Sequence, residues 1–434
     1  MKIRLQTLFT KILHLGCGEM IGRLCNVATV IWLGHRYGVV ILGIYALAQT
    51  LGQYLQPVID FGMRHVGARL VARFPEATRA IVTRVQRRRC AMAVAALPLI
   101  VFYSASAKLP PNAQHFLLAF AVAGSFYAAS LDWAAWGEGR MALVGLAKAF
   151  SPASILVFVV LTHASGANVL WWAAAGNWCG FLLQAAFFRW WWKFERPPGG
   201  HGWLPAAALE SLAWRRTSIM GLAWLCYLAF NNIDMLMLGL LSTPDQVGLY
   251  GAAYRVLNQA LATFYLLTQA LYPQFARHGA RERRQMVGFR VLGPLAAAGL
   301  VLASGMILLR RPILTLVFGR AFLPAAPLLL LLAWSLPLDF LSSYLSNAFL
   351  AWGMERKVLA ATGISAVTNI VLNWALLPRL GAWGAALNTL ISYGVLLAML
   401  LLAARIAKEA GFAGHRGIGG RIAAEAALDT APCP

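Results

Sequence analysis

Charged residues, and acidic residues above all, are scarce in this sequence. Only 12% of its 434 residues are charged, and aspartate and glutamate together number 15. A soluble globular protein carries about 25% charged residues, so this chain has too little charge to cover a soluble fold of its length. The shortage excludes an ordinary soluble domain and indicates that much of the folded surface faces lipid.

Residue spacings typical of disulfides, metal sites and catalytic centres are also missing. Of the six cysteines, Cys17 and Cys25 would stand about 12 Å apart along one helix, beyond the ~7 Å that a disulfide spans between Cα atoms. The eight histidines show no metal-ligand spacing, and no Gly-rich phosphate loop or Ser/His/Asp set occurs. We therefore expect no metal, no cofactor and no enzymatic activity.

Long apolar stretches are what the chain has in abundance. Hydrophobic residues make up 60% of it, and its mean hydropathy is +0.66. Because a transmembrane helix needs about 20 mostly apolar residues, the sequence predicts an all-α integral membrane protein with about twelve transmembrane helices. The predicted spans cover 12–33, 38–60, 89–106, 115–136, 143–163, 168–192, 217–241, 247–272, 288–309, 325–350, 358–378 and 382–404. The first span lacks the features of a cleaved signal peptide, so we expect it to be retained.

A polar interruption that contains Pro197, Pro198, Gly199 and Gly200 divides the spans into two sets of six. We therefore predict an N-terminal six-helix bundle over 1–192 and a cytoplasmic linker over 193–216. A C-terminal six-helix bundle over 217–404 and a cytoplasmic tail over 405–434 complete the chain.

The positive charges predict the orientation in the membrane. Most of the 37 Lys and Arg residues fall in alternate loops, and such residues are retained on the cytoplasmic side, so both termini should be cytoplasmic. The net charge of +22 therefore borders membrane helices and does not indicate a nucleic-acid partner. The cluster Arg84, Arg87, Arg88 and Arg89 is interpreted as an anchor for anionic lipid headgroups.

The two predicted bundles share short motifs at corresponding places. The second span begins Gly43-Ile44-Tyr45, and the eighth begins Gly248-Leu249-Tyr250. The fourth span ends in Ala135-Trp136-Gly137 with Arg140 following, and the tenth ends in Ala351-Trp352-Gly353 with Arg356 following. Parallel six-helix repeats are a frequent plan of transporters, so the motifs predict two pseudo-symmetric bundles.

Polar side chains inside the predicted helices recur at helical spacing. A charge at the bilayer centre costs about 2.5–3.5 kcal/mol even on lenient scales, so these side chains should face a cavity or a partner. Four helices each carry one polar face, made of Glu19, Arg23 and Asn26; Gln49, Gln53, Gln56 and Asp60; Arg255, Asn258, Gln259 and Gln269; and Asp339, Ser343, Ser346 and Asn347. Together they predict a hydrated central cavity.

Each of these features also has a purely structural interpretation. Glu19 and Arg23 have the i,i+4 spacing of a surface ion pair, which competes with contact between Arg23 and an anionic substrate. The glutamines are equally suited to hydrogen bonds between helices. Asp234 and Arg255 lie at similar distances from the turn between the seventh and eighth spans, which predicts an ion pair, either static or exchanged for substrate.

An ordered set of motifs resembles one transporter family, the polysaccharide-exporter or O-antigen-type (Wzx-like) flippases. Their superfamily also holds the multidrug and toxin extruders and the peptidoglycan-precursor flippase. The motifs are Tyr37-Gly38, Gly43-Ile44-Tyr45, Asp60-Phe61-Gly62-Met63, Arg69, Ala72-Arg73, Ile233-Asp234, Leu238-Gly239, Val247-Gly248-Leu249-Tyr250, Ala252-Ala253-Tyr254-Arg255, Tyr272-Pro273, Phe318-Gly319-Arg320-Ala321-Phe322, Ala351-Trp352-Gly353, Asn369, Leu372-Asn373 and Gly381-Ala382-Trp383-Gly384.

The resemblance implies two bundles that open alternately to either side of the bacterial inner membrane. It implies a substrate built on undecaprenyl pyrophosphate, with basic residues toward the pyrophosphate and coupling to a proton or sodium gradient. We assign substrate binding to Arg23, Arg255, Gln49, Gln53, Gln56, Asn258 and Gln259, and ion coupling or gating to Glu19, Asp60, Asp234 and Asp339. Asp60 also fits a structural cap.

The function expected from the sequence is thus translocation of a lipid-linked oligosaccharide from the cytoplasmic to the periplasmic leaflet. The expected partners are membrane lipids and glycan polymerase or assembly-complex proteins, and a scaffold role in such a complex is compatible with transport. The alternative is an ion-coupled exporter of drugs or small metabolites. A membrane-bound polymerase or ligase is disfavoured, because the longest predicted outward loop, near 310–324, has neither paired carboxylates nor a histidine.

Overall fold

The structure, a computed structural model, describes residues 5–163, 166–195, 212, 214–277 and 280–409, and these contain helices but no strand. The helices are α1 Leu5–Asp60, α2 Met63–Arg73, α3 Thr78–Ser106, α4 Pro111–Ser125, α5 Asp132–Gly137, α6 Met141–Leu161, α7 Asn168–Glu195, α8 Trp214–Leu241, α9 Pro244–Arg277, α10 Ala280–Met286, α11 Phe289–Phe318, α12 Ala326–Ala333, α13 Ser335–Ala351, α14 Glu355–Leu380 and α15 Ala382–Glu409. Three 3₁₀ turns, at Pro75–Ala77, Phe126–Ala129 and Arg320–Ala325, lie between them.

The helices confirm the predicted all-α membrane fold. Among the described residues, seven helical segments are each long and apolar enough to cross a membrane, and the bent segment that includes α12 and α13 is an eighth. One of the seven, Gly18–Asp60, has 43 residues, which at 1.5 Å per residue is about twice the ~30 Å hydrocarbon thickness. Each predicted span falls on a described helix or pair of helices, in the predicted order.

A glycine divides α1 into the first two predicted spans. Gly38 has φ 78° and ψ −166° inside the helix, a conformation that residues with a side chain rarely adopt. The helix is therefore kinked at the first residue of the predicted span 38–60, next to the loop predicted between 12–33 and 38–60.

Two compact units divide the chain. The first comprises the described part of Met1–Leu228 together with Gly239–Gly248, the turn between α8 and α9, and Val317–Gly319. The second comprises Ala229–Leu238, Leu249–Leu316 and the described part of Arg320–Pro434. Most of the predicted linker 193–216 and the tail beyond residue 409 lie outside the described residues, so the predicted region boundaries stay predictions.

Glycines allow α6 to lie very close to two neighbours in the first unit. A Cβ atom on Gly18 of α1 would stand 2.6 Å from the backbone nitrogen of Leu146 in α6. On the other side of α6, a Cβ on Gly176 of α7 would stand 2.7 Å from the Cα of Ile155. Small residues at such contacts let helix backbones approach where lipid offers no hydrophobic driving force.

The repeated glycines of the two halves meet inside the first unit. A Cβ on Gly43 of α1 would lie 2.9 Å from the Cα of Gly248, and Gly248 in turn packs on Val39. Lys108, at the end of α3, holds the same turn, because its backbone N–H donates to the carbonyl of Gly239 over 3.0 Å. The two positions that the repeat makes equivalent are thus in direct contact.

The repeated tryptophans have the same kind of neighbour in each unit. The guanidinium of Arg64, on the short helix α2, lies 5.8 Å from the ring centre of Trp136. The guanidinium of Arg283, on the short helix α10, lies 5.7 Å from that of Trp352. Both separations suit a cation–π interaction, so the sequence motif marks a feature that both units possess.

We expect Gly176→Ala to destabilise the protein, because the added methyl group would push α7 away from α6. The cost of such overpacking is about 1–3 kcal/mol, and thermal unfolding of the detergent-solubilised protein would measure it as a lower Tm. Gly363→Ala in α14 is the matched control, since a Cβ there meets nothing within 4 Å. Equal Tm values for the two variants would contradict the packing that we describe.

Candidate functional site

A polar pocket lies within the first unit. Its volume is about 280 Å³. Its lining is rich in amide and hydroxyl groups and consists of Asn26, Gln49, Gly52, Gln53, Gln56, Arg64, Phe120, Gly124, Tyr127, Asp132, Ala147, Lys148, Ser151, Pro152, Ile155, Asn177, Phe181 and Gln184. A pocket with this many uncharged donors and acceptors is suited to a strongly hydrated polar ligand.

The glutamines that the sequence places on one face of a helix do line this pocket together. Gln49 donates to Asn26 Oδ1 over 2.8 Å and to the Tyr45 hydroxyl over 3.0 Å. Gln53 and Gln56 have exposed side chains and form no hydrogen bond with another described residue. One glutamine therefore stabilises the wall, and two present their amides to the pocket.

Polar contacts between α6 and α7 fix the opposite wall. The Ser151 hydroxyl donates to Asn177 Oδ1 over 2.8 Å, and the Asn177 amide donates to the carbonyl of Phe120 over 3.1 Å. Gln184 donates to the Ser130 hydroxyl over 3.2 Å. Because these groups satisfy one another, the wall is held in place without a ligand.

A three-residue charge cluster joins the pocket to the outer face of α1. Glu19 forms the expected i,i+4 ion pair with Arg23 at 2.9 Å, and its other oxygen pairs with Lys148 of α6, also at 2.9 Å. The side chain of Arg23 is 60% exposed and that of Lys148 is 41% exposed. One carboxylate thus serves two cations, which leaves the cluster with one net positive charge.

A second charge pair lies at the Arg64 end of the pocket. Arg64 pairs with Asp132 at 3.0 Å and donates to the Tyr127 hydroxyl over 3.2 Å. Burial lowers the pKa of the Arg64 guanidinium, but the neighbouring Tyr127 and Asp132 outweigh it and raise that pKa above its ordinary value. The guanidinium therefore stays charged, and the carboxylate of Asp132 neutralises it.

Behind this pair, Asp60 forms a buried ion pair with Arg89 at 2.7 Å. Arg89 is fully buried, donates to the carbonyls of Ser130 and Tyr127 over 2.6 and 3.1 Å, and stacks on the Tyr127 ring at 4.7 Å. Tyr127 also donates its hydroxyl to the second oxygen of Asp60 over 3.1 Å. A carboxylate held in this way favours the structural interpretation of Asp60 over ion coupling.

The interpretation of the arginine cluster as a lipid anchor is wrong for Arg89. Arg89 faces the protein interior because Asp60 and two carbonyls satisfy its donors there. Arg88 also turns inward, where it donates to the carbonyl of Leu212. Arg84 and Arg87 have the exposure that contact with headgroups requires.

We expect removal of either member of the buried Asp60–Arg89 pair to be strongly destabilising. Arg89→Met or Asp60→Asn leaves a buried group without its partner, which costs about 3–5 kcal/mol, whereas the double variant should lose less than the sum. Thermal unfolding of all four proteins gives the coupling energy. Arg405→Met, which breaks an exposed pair with Glu409, should change stability by less than about 1 kcal/mol. Additive losses in the double variant would contradict a buried pair.

The second unit contains a different polar cluster, centred on Asp234 of α8. Its carboxylate accepts hydrogen bonds from Asn373 over 2.5 Å and from Tyr250 and Thr389 over 3.0 Å each. Asp234 is 1% exposed. The Oδ1 atom of Asn373 is buried with no hydrogen-bond partner among the described atoms, so the cluster retains an unused oxygen beside the carboxylate.

The predicted ion pair between Asp234 and Arg255 is not formed. The described partners of Asp234 are neutral side chains from α9, α14 and α15. The residue of α9 that contacts Asp234 is Tyr250, which lies five residues nearer the turn than Arg255. The carboxylate therefore has no charged partner among the described residues.

The remaining predicted site residues lie elsewhere. Arg255 and Asn258 are partly buried and Gln259 is exposed, all on α9 in the second unit. Asp339 of α13 accepts a hydrogen bond from Ser343 over 3.2 Å. None of the four lines the pocket of the first unit, whereas the predicted residues Gln49, Gln53 and Gln56 do. The predicted Glu19–Arg23 pair is not in the lining but contacts it through Lys148.

Several residues of the site were missed in the sequence. Lys148 is a lysine inside an apolar span, which was a usable signal, and Asn177 and Gln184 share a helical face of α7. Asp132 likewise lies inside the predicted span 115–136, so its charge was a signal of the same kind. Arg64 follows the end of the predicted span 38–60, where charge is ordinary, so the sequence offers no signal for it.

Comparison with known proteins finds similarity both in sequence and in fold. Residues 220–375 match the family model MatE. The chain is 25% identical over 169 residues to the probable low-salt glycan biosynthesis flippase Agl15 of Haloferax volcanii. That match covers 38% of this chain and 36% of the relative, so the chain spans about a third of the length of the curated relative it matches.

Solved transporter structures share the fold over most of the chain. An inward-facing multidrug resistance MATE family transporter of the MOP superfamily has a TM-score of 0.68 at 16% identity and covers 92% of this chain and 98% of its own. The lipid II flippase MurJ, in an inward closed conformation, has a TM-score of 0.64 at 16% identity and covers 90% of this chain and 87% of its own.

These likenesses define the class of the molecule. It is a multi-pass integral membrane protein with the fold of the transporters of the MOP superfamily. More particularly, its residues 220–375 carry the sequence pattern of the MatE family, and the proteins it resembles are transporters and flippases.

Proposed function

We propose that this chain is a flippase for an undecaprenyl-pyrophosphate-linked oligosaccharide. It moves this substrate from the cytoplasmic to the periplasmic leaflet of the bacterial inner membrane, for the synthesis of a surface polysaccharide. The MOP fold and the likeness to one glycan flippase and one lipid II flippase support the proposal. Both termini lie on the cytoplasmic side, as the distribution of Lys and Arg indicates.

The observation that carries the proposal is the amide-lined pocket of the first unit. Six amide side chains face one space of about 280 Å³, and two of them, Gln53 and Gln56, are not engaged by described protein groups. Leaving these two amides without a partner inside a membrane protein is unfavourable unless a polar ligand or water takes their hydrogen bonds. A saccharide headgroup supplies such hydrogen bonds, and an apolar drug does not.

The proposed mechanism is alternating access with the polyprenyl tail left in lipid. Basic residues give charge-assisted hydrogen bonds to the pyrophosphate oxygens. Arg23 is suited to this role because it is exposed and shares the single carboxylate of Glu19 with Lys148. Arg255 is the corresponding candidate in the second unit. A glycan polymerase or assembly complex on the periplasmic side would receive the product.

The Asp234 cluster is the proposed site of ion coupling. A buried carboxylate without a charged partner is costly, so it is neutralised by either a proton or a bound cation. The unused oxygen of Asn373 beside it, with the oxygens of Asp234 and Thr389, would suit a sodium ion, because hard cations prefer oxygen ligands. The gradient of the coupling ion then drives the cycle by changing the charge of this cluster.

Arg255→Ala should reduce flipping by about tenfold or more, because a lost hydrogen bond to a charged group costs about 1.5–3 kcal/mol. The measurement is flipping of the lipid-linked saccharide pool from the native cells in liposomes that contain the purified protein. Arg290→Ala, which alters an exposed arginine on α11, is the matched control. Unchanged flipping by properly inserted Arg255→Ala would remove this residue from the mechanism.

Asp234→Asn should remove the dependence of flipping on an ion gradient, because an amide neither binds a proton nor attracts a cation as a carboxylate does. Flipping is measured in liposomes under a sodium gradient alone and under a pH gradient alone. Asp245→Asn, in an exposed position of the α8–α9 turn, should behave like wild type. A gradient response that survives in Asp234→Asn would place the coupling elsewhere.

The second candidate is an ion-coupled exporter of drugs or small metabolites, which the likeness to a multidrug resistance MATE transporter favours. Many such drugs are cations and need an unpaired carboxylate in the pocket. Here the pocket carboxylate Asp132 pairs with Arg64, and the nearby Glu19 pairs with two cations. That pairing favours the saccharide over a cationic drug.

A further inference from the structure

The polar groups that the pocket leaves available are two neighbouring amides. Gln53 and Gln56 are three residues apart on α1, so their side chains emerge on the same face of the helix. Both are exposed, and neither has a hydrogen-bond partner among the described residues. Each amide offers donors and an acceptor within a short distance, a pattern that matches adjacent hydroxyl groups, which also donate and accept.

The charged side chains that line the pocket form ion pairs, and Lys148 shares its partner Glu19 with Arg23. Arg64 pairs with Asp132, and Lys148 pairs with Glu19. An anionic ligand would have to compete with Asp132 and Glu19 for the two cations. A cationic ligand would have to compete with Arg64 and Lys148 for the two carboxylates. The polar side chains of the pocket that remain without any partner among the described residues are therefore the uncharged amides of Gln53 and Gln56.

The size and the apolar part of the lining limit the ligand further. A volume of about 280 Å³ is at the small end of the range of roughly 300–1,000 Å³ for small-molecule sites, so it suits one ring and not a whole oligosaccharide. Phe120 and Phe181 contribute apolar surface beside the amides. Sugar rings combine hydroxyl edges with apolar C–H faces, which fits a mixed lining of this kind.

We infer that this pocket is a subsite for one uncharged sugar unit, held by the amides of Gln53 and Gln56 and separate from the groups that bind pyrophosphate. The inference rests on the proposed function and makes it narrower. The first unit selects the headgroup by its hydroxyl groups, and charge recognition takes place outside this pocket.

Binding of small probes tests the inference without the full substrate. The Tm of the purified protein is measured with saturating glucose and N-acetylglucosamine, with glucuronate and inorganic pyrophosphate, and with tetraphenylphosphonium. We expect a neutral sugar to raise the Tm and the anions and the cation to leave it unchanged. Gln53→Leu and Gln56→Leu should each weaken sugar binding by about five- to tenfold, the effect of one lost hydrogen bond.

Gln285→Leu is the matched control, because it removes an exposed amide outside the pocket, and it should bind sugar like wild type. The inference is overturned if no neutral sugar raises the Tm, if pyrophosphate or the cation does so instead, or if Gln53→Leu and Gln56→Leu bind sugar normally. Gln56→Asn keeps an amide and shows whether a loss in Gln56→Leu comes from altered folding.

Flipping assays on the same proteins separate this inference from the proposed function. Failure of wild type to flip the native lipid-linked pool would contradict the flippase, while the sugar-binding result would still decide the subsite. If wild type, Gln53→Leu and Gln56→Leu all flip the substrate normally, the flippase function is supported and the inferred sugar subsite is contradicted.

Discussion

The constraint that shapes the first unit is that a charge cannot be buried alone at low dielectric. Among the described residues, the buried carboxylates Asp60 and Asp132 each have an arginine within 3.0 Å, in the pairs Asp60–Arg89 and Arg64–Asp132. The Asp60–Arg89 pair joins the end of α1 to α3, and the carbonyl contacts of Arg89 extend it to the segment between α4 and α5. Breaking a buried pair costs several kcal/mol, so these pairs fix the helix ends that surround the pocket. The amides can then remain available for a ligand.

The buried carboxylate of the second unit, Asp234, is held by neutral hydrogen-bond donors and not by an ion pair among the described residues. Asp234 receives hydrogen bonds from Tyr250, Asn373 and Thr389 but no positive charge among the described residues. An arginine at this position would neutralise the carboxylate permanently, and neutral donors leave it able to exchange a proton or a cation. Rigid pairing around the proposed ligand pocket and reversible neutralisation at the proposed coupling site are different requirements. Their location in separate units lets each unit meet one of them.

Features that depend on a single helix could be predicted from the sequence. Features that depend on how several helices pack together could not. The spacing of Gln49, Gln53 and Gln56 predicted a shared face because helical geometry alone determines it. The partners of buried charges depend on how helices rotate against each other, and no local pattern records that rotation. Glu19 and Lys148 are 129 residues apart, and Asp234 turned toward Tyr250 and not toward Arg255. The kink at Gly38 follows the same rule, because the boundary between two apolar stretches is visible in the sequence without knowledge of the packing.

The internal repeat explains why the two polar sites are related. The motif Gly-x-Tyr places Tyr45 in the first unit and Tyr250 in the second, and both are 1% exposed. Tyr45 accepts a hydrogen bond from Gln49 at the pocket wall, and Tyr250 donates one to Asp234. A tyrosine hydroxyl can act as acceptor or donor, so the same motif position can support an amide in one unit and a carboxylate in the other. Because the equivalent tyrosines have such different partners, the two units can divide the proposed ligand binding and the proposed ion coupling between them.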